Sequence, residues 1–124
     1  GPISANMREC NGIHAADAVL EAVPLLQNPQ KAIDDVFQMA YRLYLNKVRR
    51  ANPEDKDFSG KVEAMGHLIE LYQSHKDLFR PEQKHFFELM KADLPRFMEE
   101  LAHVKDVEPI DTKLTHVYEV LGIL

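Results

Sequence analysis

Histidines, carboxylates and a single cysteine are the groups in this chain that could do chemistry, and their spacing decides which chemistry is open. The stretch "LYQSHKDLFRPEQKHFFELMK", residues 71–91, sets His75 and His85 and four basic side chains among bulky apolar residues. A helix holds a metal with two imidazoles four residues apart, but His67 and His75 are eight apart, and His103 and His116 stand singly. Glu82 and His85 form a Glu-x-x-His pair in a helix first turn, short of the two inward-facing copies that a di-iron bundle requires. The neighbouring acids Asp34-Asp35, Glu54-Asp55 and Glu99-Glu100 point about 100° apart on a helix and do not converge on one reacting atom. Cys10 lacks the helix-start or glycine-rich setting that activates a thiolate, and no phosphate-cradling glycine loop is present. These readings predict a protein that is not an enzyme and takes no metal and no cofactor.

Helices must position those side chains. Asn28-Pro29, Asn52-Pro53 and Arg80-Pro81 each read as a helix start, because proline fits a first turn and pushes the preceding residue toward the extended geometry of an N-cap. Between these points the apolar residues recur at three-four spacing. One stripe is Ile33, Val36, Phe37, Ala40, Leu43, Tyr44 and Val48; a second is Val62, Met65, Ile69 and Tyr72; a third runs from Phe86 to Leu101. Further helices are expected at 14–26, bent or ended by Pro24, and at 111–121. Pro95 removes a hydrogen bond inside the fourth helix and predicts a kink there. The expected fold is all-α, a single antiparallel bundle of about five helices over residues 14–124. Gly1-Pro2 reads as an expression scar and residues 3–13 as a flexible N-terminus.

A chain of 124 residues with 45% hydrophobic and 28% charged residues suits one globular domain. Its net charge of −5, without a basic segment, speaks against nucleic acid as a partner. One cysteine rules out an internal disulfide and points to an intracellular, cytoplasmic setting. No apolar run approaches bilayer length, so the chain is not expected to be transmembrane.

Four methionines on the stripes, six phenylalanines and four tyrosines give more apolar face than a small bundle needs. The surplus predicts a groove beside the fourth helix, lined by Tyr41, Tyr44, Met65, Ile69, Tyr72, Phe79, Phe86, Phe87, Met90, Leu94 and Phe97. Arg80, Lys84 and Lys91 would contact an anionic group. The function that fits is a non-enzymatic adaptor or scaffold module in signalling, receiving a helix or short linear segment of a protein partner.

Three stretches, "AIDDVFQMAYRLY", "GHLIELYQSHKDLFRPEQKHFFELM" and "HVKDVEPIDTKLTHVYEVL", resemble in their order the TIPE family of tumour-necrosis-factor-induced helical proteins. The counterparts are Ile33–Tyr44, Leu71-Tyr72, Phe79, Pro81–Leu101 and Val107–Asp111. The resemblance implies helices around a large apolar cavity for lipid tails, with basic residues at its mouth for phosphoinositide headgroups. Lys91 falls on one of those basic positions. Ala15, Ala16 and Asp17 stand where the family has a lysine pair, and Gln73 stands where it has a mouth arginine. Lipid binding is therefore the alternative expectation.

Overall fold

The computed structural model describes residue 13 and residues 15–104. Its regular structure is helical throughout, with no strand among the described residues, and four helices pack together on a shared core. Helix α1 covers residues 15–21 and tightens into a 3-10 turn, Val23–Leu25, at Pro24. Helix α2 is Pro29–Arg42, α3 is Phe58–Ser74 and α4 is Pro81–Val104. The expected helix at 111–121 and residues 1–12 lie outside the described residues.

Local chemistry explains two of the starts. The Asn28 side chain accepts a hydrogen bond from the Lys31 backbone N–H at 3.2 Å, with Pro29 opening α2. At α4 the Gln83 side chain reaches back to accept from the Arg80 backbone N–H at 2.9 Å, the reciprocal half of a capping box. Asn52-Pro53 is a correction. The Asn52 side chain accepts from Glu54 N–H and its carbonyl accepts from Asp55 N–H, forming a turn, and α3 begins only at Phe58.

Helix α2 leads directly into one wide π-turn, Leu43–Val48, in which the Arg49 N–H bonds the Tyr44 carbonyl five residues back. This keeps Leu43, Tyr44 and Val48 all buried. Helix α4 remains helical through Pro95, which forgoes the bond its N–H would have given to the Lys91 carbonyl.

Helix α3 is the middle of the molecule. No residue from 58 to 72 is fully exposed, and Phe58, Met65, Ile69 and Tyr72 have no accessible surface. Against its end the Tyr72 ring stacks on Phe87 at 4.6 Å and 7°, with Phe79 edge-on to Phe87 at 5.0 Å. The Tyr72 hydroxyl donates to Glu88 at 3.0 Å. Burial, with this bond second, pushes the Tyr72 phenol up to about 12. The stretch at 71–91 is thus a helix corner closed by aromatic packing.

A polar tie joins α2 to α4. Gln83 is buried and donates to Asp34 at 2.8 Å, Gln30 donates to the same carboxylate at 2.9 Å, and Arg80 lies 3.4 Å away. The two amide hydrogen bonds, then Arg80, hold the Asp34 carboxyl below its ordinary value.

Candidate interaction groove

The apolar stripe of α2 carries Phe37 and Tyr41 one turn apart, so both meet the flank of α4. There the Tyr41 ring stacks on Phe86 at 5.2 Å, and Phe37 meets Phe86 edge-on at 5.2 Å. Tyr44, carried by the π-turn, packs edge-on against Phe86 at 5.7 Å and Phe97 at 6.3 Å. The result is an aromatic seam between α2 and α4, and its outer side is open. Tyr41 is 41% exposed and Leu89 is 52% exposed, and both line one cleft of ≈620 Å³ with Tyr44, Phe86, Arg49 and Arg96. Leu25, the other large apolar residue left exposed among the described residues, lies on the 3-10 turn, and single surface leucines are common.

The polar wall of the cleft is neutralised from within. Asp93 accepts from the Tyr44 hydroxyl at 2.6 Å and from Arg96 at 2.9 Å. Burial first, and the bond to Asp93 second, push the Tyr44 phenol up to about 12. Arg96 lies over the Phe97 ring at 4.7 Å and Arg49 over the Tyr44 ring at 5.9 Å. Arg49 and Arg50, which also line the adjoining cleft with Tyr41, form no ion pair among the described residues. The groove therefore pairs an apolar floor with a cationic rim.

The structure divides the residues expected to line the groove. Tyr41 and Phe86 lie on it with the edge of Tyr44. Met65, Ile69, Tyr72, Met90 and Leu94 have no accessible surface, and Phe79, Phe87 and Phe97 are almost as enclosed. These eight belong to the core and leave nothing for a partner to touch, because the stripes that looked surplus are consumed in packing α3 against α4. Leu89 was missed, since it falls outside the main stripe of α4.

The expected anionic contacts are also displaced. Lys84 and Lys91 lie seven residues apart along one side of α4, about half a helical turn from Leu89, Asp93 and Arg96. Arg80 is drawn to Asp34 at 3.4 Å. The arginines on the groove come instead from the π-turn's end and from the second half of α4.

The histidines differ in their surroundings. His85 and His103 are exposed, but the His75 side chain is only 16% exposed, with its Nε2 3.2 Å from Asp17 Oδ1. His67 lies between Glu63 at 3.6 Å and Glu70 at 4.0 Å, each facing a different ring nitrogen. The Asp17–His75 contact joins residues 58 positions apart, beyond any spacing rule.

No helix among the described residues is long and apolar enough to cross a membrane. Comparisons of the chain with family models, with curated proteins and with solved structures found no match.

Proposed function

We propose that this is a non-enzymatic protein-interaction module, an antiparallel helical bundle with α4 kinked at Pro95, that seats an acidic amphipathic segment of a partner in the α2–α4 groove. The observation that carries the reading is the exposure of Tyr41 and Leu89 together on a floor continued by Phe86, beside Arg49 and Arg96. Apolar residues at helical spacing on the partner would cover the floor, and carboxylates between them would face the arginines. On a chain of net charge −5, an acidic segment is repelled over most of the surface and attracted at this rim. The lipid reading finds less support, because Met65, Ile69, Tyr72, Phe87, Met90 and Leu94 pack directly on one another in the middle of the fold.

A three-peptide panel tests this by fluorescence anisotropy: an acidic amphipathic helix, its charge-reversed counterpart, and a scrambled sequence of the acidic composition. The acidic amphipathic peptide is expected to bind at least ten times more tightly than the others, and Leu89→Asp and Arg49→Glu are each expected to erase that preference. Equal binding of all three, or a preference untouched by both substitutions, overturns the proposal. So does native mass spectrometry showing lipid carried by the purified chain in place of peptide binding.

A further inference from the structure

Asp17 and Glu21 stand one turn apart on α1, so their carboxylates share a face, and that face meets the corner where α3 ends. His75 forms the corner, its backbone N–H bonded to the Leu71 and Tyr72 carbonyls at 3.2 and 3.1 Å. One ligand atom from each of Asp17, Glu21 and His75 lies within 4.8 Å of the others. We infer that these three side chains form a binding site for a divalent cation of the zinc class, clipping α1 to α3.

Three observations carry it. The donor set, one imidazole nitrogen and two carboxylate oxygens, is one that zinc accepts. The 3.2 Å between His75 Nε2 and Asp17 Oδ1 is close to the ligand–ligand edge, about 3.3 Å, of a tetrahedron with bonds of about 2.0 Å. The donors also gather at the C-terminal end of a 17-residue helix, where the backbone dipole favours positive charge. His67 supplies the contrast. It too has two carboxylates at hand, but Glu63 and Glu70 face opposite ring nitrogens, so no single ion could take both with the ring. Convergence separates the two histidines, although their residue types are the same. A cation at His75 would matter for α1, which enters the core with little more than Ala16 and Leu20.

The whole chain is titrated with Zn²⁺ by calorimetry and with Co²⁺ as an optical probe, and thermal unfolding is followed with and without Zn²⁺. One equivalent is expected to bind and to raise the unfolding temperature. His75→Gln is expected to weaken binding about a hundredfold and to remove the thermal shift; Asp17→Asn and Glu21→Gln are expected to weaken it at least tenfold. His67→Gln is expected to bind like the parent. Glu21 is exposed, so its variant decides the matter even if the other two disturb the docking of α1. The inference is overturned if no stoichiometric binding occurs, if Glu21→Gln and His75→Gln bind like the parent, or if His67→Gln loses binding equally.

Discussion

Tyr44 serves both the core and the groove. Its ring packs against Phe86 and Phe97 while its hydroxyl donates to Asp93, which leaves that carboxylate able to hold Arg96 as well. The phenol ionises at about 12 in the folded chain against an ordinary value of 10.0, so unfolding favours its ionisation. The stability it contributes is complete below pH 10 and is lost as pH rises from 10 toward 12. Tyr72 follows the same rule through burial and Glu88. In a phenolate absorbance titration of the folded protein, Tyr44 and Tyr72 are expected to ionise near pH 12. Tyr44→Phe is expected to leave one of that late pair and to cost about 1–2 kcal/mol in urea unfolding. An unaltered titration in the variant contradicts the assignment. Periodicity disclosed that Tyr44 turns inward. It could not disclose Asp93, because a hydrogen bond across 49 residues leaves no trace in local spacing.

At the level of the helix, proline alone does not fix a start. Ile33 enters the core four residues after Pro29 and Phe87 six after Pro81, so at both points the chain gains by coiling at once. After Pro53 come Glu54, Asp55, Lys56 and Asp57, none with an apolar face to bury, and the coil waits for Phe58. The π-turn was equally invisible, since Leu43, Tyr44 and Val48 also satisfy an ordinary three-four stripe. Its wide turn holds one residue more than the ladder needs. Removing the exposed Asn46 is therefore expected to restore regular bonding at a cost of about 1 kcal/mol. Removing the exposed Gln38 turns the preceding part of α2 by about 100° and is expected to cost at least ~2 kcal/mol more. Denaturant midpoints of the two deletions compare them directly, and equal losses refute the picture.

Across the whole molecule, the stripes named which residues would be buried but could not say which flank of α4 would stay open. That depended on how far α2 reaches along it. The two classes should separate sharply on substitution. Phe87→Ala removes the ring that Tyr72 and Phe79 pack against and is expected to cost about 3–5 kcal/mol, a large share of the ~5–15 kcal/mol that holds a domain together. Leu89→Asp is expected to stay within about 0.5 kcal/mol of the parent. Chemical unfolding of both reads the contrast, and comparable losses would place Leu89 in the core. Acid acts on the whole molecule too. Asp34 ionises below its ordinary value, so the stability it contributes is present above that value and is lost as pH falls through the folded one. The sheathing of α3 has a practical corollary for anyone who would dissect this domain. Helix α4 and the π-turn that ends α2 both pack on that rod, so severing the chain between the π-turn and α3 strips each fragment of a surface it was shaped against. Such halves should refuse to hold shape singly and recover it only when mixed, which makes the pair a ready-made split reporter.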